Sequence, residues 1–224
     1  MVSLQLSVPN IVGSRFKRRP VRCAVERQEL FNRIAPVYDN LNDLLSLGQH
    51  RIWKRMAVSW SGLVKGLDFS KEQLSIASSR QYLLSKACYN NIEWVEGDAL
   101  DLPFSNGYFD AITMGYGLRN VVDKRQAMRE MFRVLKPGSR VSILDFNKTT
   151  QLLTAMFQEW MIDNVVVPTA TVYGLAKEYQ YLKTSIKEFL TGEELEKLAL
   201  EVGFSKARHY EIGGGLMGNL VATR

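Results

Sequence analysis

Three short apolar stretches of this chain end in residues suited to gripping a polar ligand. Asp68 closes the stretch that begins at Leu63. A carboxylate there can accept hydrogen bonds from ribose hydroxyls, or it can turn back and help cap a helix starting at Ser70. Gly97-Asp98 follows Ile92 to Val95. Asp98 can take a hydrogen bond from the amino group of a purine ring, or simply form a turn. Gly115-Tyr116-Gly117 follows Phe109 to Met114. Glycines at that point let the backbone approach a ligand closely, and they equally suit a bare turn.

For these residues to converge, the stretches must be neighbouring strands of one sheet, and the surrounding pattern agrees. After Gly62 short apolar runs alternate with helical segments: strands over Leu63 to Phe69, Ile92 to Val95, Phe109 to Met114 and Arg140 to Phe146. Between them Ser70 caps a helix reaching about Ala87, and Asp123 with Gln126 three residues later starts one that ends at Lys136-Pro137-Gly138. A helical region from about Leu152 to Phe189 is interrupted near Pro168. Thr191 with Glu194 makes a capping box for a helix closed by Gly203. His209 to Ile212 and Asn219 to Thr223 form a terminal hairpin around Gly213, Gly214 and Gly215. This order predicts an α/β protein with a doubly wound sheet whose ligand sits at the carboxyl ends of the strands. Ahead of it, apolar residues such as Leu30, Ile34, Val37, Leu41, Leu45 and Trp53 recur at helical spacing, broken at Pro36 and Gly48. That makes residues 26–62 a helical cap region and residues 63–224 the sheet domain.

The 224 residues are 46% hydrophobic and 23% charged, enough for one real core. No apolar run approaches the roughly 18 residues of a membrane-spanning helix, which predicts a soluble or peripheral protein. Cys23, Cys88, His50 and His209 have no metal-site spacing, so no metal is expected. The net charge of +6 is local: Arg15, Lys17, Arg18, Arg19 and Arg22 supply +5 within the first 25 residues, which hold no acid. A nearly neutral body lacks the basic stripe of a nucleic-acid binder. The acid-free, hydroxyl-containing leader ending in Val21-Arg22-Cys23-Ala24 reads as a disordered organelle transit peptide over residues 1–25.

Tyr38-Asp39-Asn40-Leu41-Asn42, followed by Ser46, His50 and Trp53, resembles the amino-terminal signature of the C-methyltransferases of ubiquinone and menaquinone biosynthesis. Gly97-Asp98-Ala99 with Leu102-Pro103-Phe104, then Phe109-Asp110, Gly117-Leu118-Arg119-Asn120-Val121 and Arg133-Val134-Leu135-Lys136-Pro137-Gly138, follow in that family's order. The resemblance spans about residues 26–224. It implies a class I S-adenosylmethionine-dependent methyltransferase with a Rossmann-like sheet. With the basic leader, it is nearest to the plastid branch that methylates demethylphylloquinol, a prenylated naphthoquinol, on the way to phylloquinone. The leader then becomes a chloroplast transit peptide, and plastid membranes become a peripheral contact.

The resemblance implies site residues as well. Asp68, Asp98, Ala99 and Gly115 are expected to bind S-adenosylmethionine, and Tyr38, Trp53 and Asn120 to contact the naphthoquinol. Arg119 would lower the pKa of a quinol hydroxyl, unless it is spent on a salt bridge to Asp123 or Glu130. His50 would act as base, unless it is a surface or packing histidine. The phytyl tail is expected along Met156 to Val172.

One family feature is missing. Between Trp53 and Gly66-Leu67-Asp68-Phe69-Ser70 only twelve residues remain, with no Asp-x-x-x-Gly-x-Gly turn of the kind that approaches the methionine part of the methyl donor. The gap amounts to about one strand, turn and helix of roughly thirty residues. It would fall in the middle of the parallel sheet and expose the edges on either side, unless Leu63 to Asp68 slides into the vacancy.

Overall fold

A computed structural model describes residues 3–7, 29, 64–84, 92–172 and 176–224. Its sheet is built from β1 (Ser3–Ser7), β2 (Val64–Asp68), β3 (Ile92–Glu96), β4 (Phe109–Gly115), β5 (Leu135–Phe146), β6 (Lys206–Ile212) and β7 (Met217–Thr223). The helices are α1 (Lys71–Leu84), α2 (Lys124–Val134), α3 (Leu152–Met161), α4 (Val167–Val172), α5 (Ala176–Lys187) and α6 (Gly192–Val202). The strand order is β3-β2-β1-β4-β5-β7-β6. Strands β2 and β3 pair in parallel, as do β4 and β5, and the chain finishes in the antiparallel hairpin β6–β7.

The central position holds a segment that the sequence pattern does not announce. Strand β1 comes from the basic leader and runs antiparallel to both neighbours. Val64–Asp68 therefore does not slide into the vacancy. It stays beside β3, where Trp94 lies across Gly66 and a Cβ on that glycine would collide with the indole. The indole N–H donates to Gln81 Oε1 at 2.6 Å, tying β3 to α1. The strand at Ser3–Ser7 also corrects the expectation of disorder for that part of the leader: Leu4, Gln5 and Leu6 have strand partners on both sides, and Ser3 and Ser7 on one.

Elsewhere local chemistry decides the elements. Asp123 accepts from Gln126 N–H at 2.9 Å and starts α2. That helix ends at Val134, and β5 begins at once with Leu135, earlier than the Pro137-Gly138 signal suggests. Thr191 and Glu194 close a reciprocal capping box on α6, and Gly203 ends it at φ 121°. All three hairpin glycines have positive φ. The helical region runs on from α3 through a π-helical turn, Ile162–Val166, into α4, so the interruption expected near Pro168 takes the form of a π-helical turn just before it rather than a break. The core lies where β4, β5 and β7 meet α2, α5 and α6: Phe109, Leu118, Ala127, Val134, Leu135 and Ala199 are wholly buried.

Candidate functional site

The carboxyl ends of β2, β3, β4 and β5 open on one rim of the sheet, and the four residues expected to bind the donor, Asp68, Asp98, Ala99 and Gly115, stand there. Asp68 is buried at the end of β2, and its Oδ1 accepts the Ser70 N–H at 2.9 Å. Ser70 Oγ in turn accepts from Gln73 N–H at 3.2 Å at the start of α1. The helix-capping role is thus real. Asp98 follows β3, is exposed, and folds its Oδ1 back onto the Leu100 N–H at 2.9 Å. This is a turn that leaves the carboxylate at the rim. Ala99 beside it is buried.

The loop carrying Asp98 is pinned from below by one face of α2. Gln126 donates to Leu100 O, Glu130 accepts from Leu102 N–H at 2.8 Å, and Arg133 donates to Leu102 O and Phe104 O at 2.9 and 2.7 Å. Arg133 also forks onto Glu130 at 2.7 and 2.8 Å. That hydrogen bond raises its pKa above the ordinary guanidinium value. The spacing of 126, 130 and 133 is what places the three side chains on one side of the helix.

Gly115 ends β4 with nothing among the described residues within 4 Å of where a Cβ would stand, so within that part of the fold its glycine leaves room at the rim rather than relieving a clash. Tyr116 follows at φ +57°, buried, in a conformation that costs a non-glycine residue energy and is concentrated at functional sites. Its carbonyl accepts from Arg119 Nη1 and Asn120 Nδ2, both at 3.2 Å.

Arg119 is buried in the 3₁₀ turn Leu118–Asn120, and its partner is neither Asp123 nor Glu130. Asp123 is committed to the cap of α2 and Glu130 to Arg133. Instead Arg119 Nη1 meets Asp145 Oδ1 at 2.5 Å while the Arg119 backbone N–H donates to Asp145 Oδ2 at 3.1 Å. The guanidinium lies 5.0 Å over the Phe146 ring, and its Nε donates to Ser185 Oγ at 3.3 Å. Two strand ends and α5 are thereby joined through one cation. Asp145, Ser185 and the strained Tyr116 were not singled out from sequence. Asp145 lies at the end of a predicted strand, where the same reasoning that found Asp68 reaches it. Tyr38, His50 and Trp53 lie outside the described residues.

Room beside Gly115 and the carboxylates of Asp68 and Asp98 fit the adenosine end of S-adenosylmethionine. The methionine end fits less well. The strand in the central slot runs the opposite way, with Ser3 opposite Gly115, so it delivers no strand-to-helix turn to the rim. Among the described residues no group of three or more His, Cys, Asp or Glu could hold a metal ion, and no helix is long and apolar enough to cross a membrane.

The ubiE/COQ5 methyltransferase family model matches residues 21–62 and 56–224, and the chain belongs to that family. The chloroplastic 2-phytyl-1,4-beta-naphthoquinone methyltransferase of Arabidopsis thaliana is 64% identical over 243 aligned positions, covering 95% of this chain and 93% of the relative. A 2-phytyl-1,4-naphthoquinone methyltransferase of Synechocystis is 47% identical, covering 88% and 94%. The first alignment is longer than the chain it covers, so about thirty of its positions have no residue of this chain opposite them. The family match divides at residues 56–62, beside the junction where the strand, turn and helix are missing. A SAM-dependent methyltransferase of Thermotoga maritima superposes with a TM-score of 0.61 at 16% identity, over 87% of this chain and 98% of its own. The fold is the class I S-adenosylmethionine-dependent methyltransferase fold.

Proposed function

We propose that this member of the ubiE/COQ5 methyltransferase family methylates the ring carbon of demethylphylloquinol, a phytylated naphthoquinol, to give phylloquinol, with S-adenosylmethionine as donor. The observation that carries the reading is 64% identity to the chloroplastic relative, sustained over 95% of the chain. The chloroplast is the matching location, with the leader as its address, removed near Cys23.

The ring carbon becomes nucleophilic when the neighbouring hydroxyl gives up its proton. The chain must favour that anion and hold the carbon in line with the donor. In this reading Arg119 lowers the hydroxyl pKa, and its pairing with Asp145 sets how much of its positive field reaches the ring. His50 takes the proton, while Tyr38, Trp53 and Asn120 line the naphthoquinol pocket. Asp68, Asp98, Ala99 and Gly115 hold the adenosine end, and the donor supplies the electrophilic methyl. The phytyl tail runs along α3 toward Val172. Leu152, Leu153, Met156, Phe157 and Trp160 are all at least half exposed there, a surface that also suits contact with a plastid membrane.

A second reading, a catalytically silent shortened form of such an enzyme, is favoured by the antiparallel occupant of the central slot. Methyl incorporation from labelled S-adenosylmethionine into demethylphylloquinol separates the two. This chain is compared with one carrying a glycine-rich strand, turn and helix between Gly62 and Gly66. The expected result is at least about a hundredfold more turnover in the restored chain, because misplacing a reacting group by about 1 Å already costs that much. Comparable turnover in both removes the silent reading. No turnover in the restored chain removes the methyltransferase reading of this substrate.

A further inference from the structure

We propose that the slot between β2 and β4 is a strand-acceptor site for an extended peptide segment, and that residues 3–7 are its occupant in cis. Both walls are on the page. Leu4, Gln5, Leu6 and Ser7 stand opposite Leu67, Gly66, Lys65 and Val64 on one side. Ser3, Leu4, Gln5 and Leu6 stand opposite Gly115, Met114, Thr113 and Ile112 on the other. Because β1 is antiparallel to both walls, the walls are parallel to each other and stand two strand spacings apart, about 9.6 Å. They cannot pair directly without one of them moving across that width.

The walls bring their own reason to be filled. Val64, Leu67, Ile112 and Met114 are nearly completely buried with β1 in place, and the inward-facing backbone groups of β2 and β4 have their strand partners in β1, so emptying the slot leaves those donors and acceptors without protein partners. An extended segment of any origin answers the same backbone donors and acceptors, since main-chain hydrogen bonds carry strand addition. Residues 3–7 read Ser-Leu-Gln-Leu-Ser, strict alternation of the kind a strand needs. The same residues lie in the leader that organelle processing would remove. Address and sheet strand are therefore competing uses of one segment, and processing at Cys23 would vacate the slot.

Two measurements on the full chain test this. In the first, Ser7→Cys and Val64→Cys are combined after Cys23 and Cys88 are replaced by serine. Opposed residues of an antiparallel pair have Cα atoms about 4.5 to 5.5 Å apart, within disulfide range. Oxidation is expected to link this pair, read by mass spectrometry, and to leave a Ser7→Cys, Leu67→Cys pair three residues out of register unlinked. Equal linking of both pairs, or of neither, overturns the proposal. In the second, Leu4→Pro with Gln5→Pro removes adjacent N–H donors that face opposite walls. Amide exchange in β2 and β4 is expected to quicken by at least about a hundredfold, with β7 unchanged as an internal reference. A synthetic peptide of residues 1–9 added in excess is expected to restore protection. Unchanged exchange in the proline variant, or no restoration by the peptide, overturns it. Neither readout depends on methyl transfer.

Discussion

The two halves of the sheet are held by different means. On the carboxyl side, β4, β5 and β7 are paired along their length and packed on α2, α5 and α6, with side chain after side chain wholly buried. On the amino side, the described residues of β2, α1 and β3 contribute only Val64, Leu67 and Ala77 as buried apolar side chains, and β3 buries none. Among the described residues that half is joined by backbone pairing across the central slot, by the Trp94 cover over Gly66, and by surface ion pairs such as Lys65 with Glu93. Removing a unit from the middle of a doubly wound sheet therefore leaves a robust half and a dependent one. The rim that would bind the donor draws residues from both.

The strongest way to break the robust half is through its buried charge. Asp145→Ala removes the buried carboxylate that meets the Arg119 guanidinium, and removing one member of a buried pair costs about 3 to 5 kcal/mol. Denaturant unfolding followed by tryptophan fluorescence is expected to show that loss. A loss below about 1 kcal/mol would mean that Arg119 finds other partners and that the lock on β5 and α5 is not central.

Hydrogen exchange sharpens the contrast directly. Amides of β4, β5 and β7 are expected to exchange at least about a hundredfold more slowly than those of β2 and β3, because the amino half opens without exposing much apolar core. Equal protection would show a single cooperative unit. Gly66→Ala probes the same difference from the weak side. Its Cβ would meet the Trp94 ring, and overpacking of this kind costs about 1 to 3 kcal/mol. Exchange in β2 and β3 should quicken while β5 and β7 keep their protection. A uniform change across the sheet would contradict two-part behaviour.

What could be read from the sequence follows the range of the interactions involved. The caps at Asp123 and Thr191, the glycine hairpin, and the strand-end positions of Asp68, Asp98 and Gly115 rest on residues a few positions apart, and the structure places each where the pattern puts it. The strand at Ser3–Ser7 has no local signal beyond five alternating residues, because its partners lie some sixty and a hundred positions away. Arg119 illustrates the same limit at the site. Sequence proximity points to Asp123 and Glu130, yet both acids are used by closer demands, and the charge is met by Asp145 and Ser185 from elements that only the fold brings near.

The smallest effect concerns pH, and it belongs to the robust half. His209 on β6 sits between Gly192, which opens α6, and Gly218 on β7, and a Cβ at either glycine would collide with a ring nitrogen. Its backbone N–H donates to Glu196 Oε1 at 2.6 Å. Burial pushes the imidazole pKa below its ordinary value, against the opposing pull of Glu211 and Glu196. The native state thus holds His209 neutral at pH values where the unfolded chain has begun to bind a proton. Stability is full above the unfolded value of about 6.5, falls as pH descends through it, and levels off once the folded group also ionises. The slope from one histidine cannot exceed about 1.4 kcal/mol per pH unit. Unfolding midpoints in denaturant at pH 8 and at pH 5.5 should differ in the native chain and differ less in His209→Gln. Because the exchange reporters of β7 lie against this ring, their protection should drop with pH before that of β2 and β3. A His209→Gln chain with the same pH dependence would assign the slope to other groups and leave the packing of α6 on the hairpin indifferent to this proton.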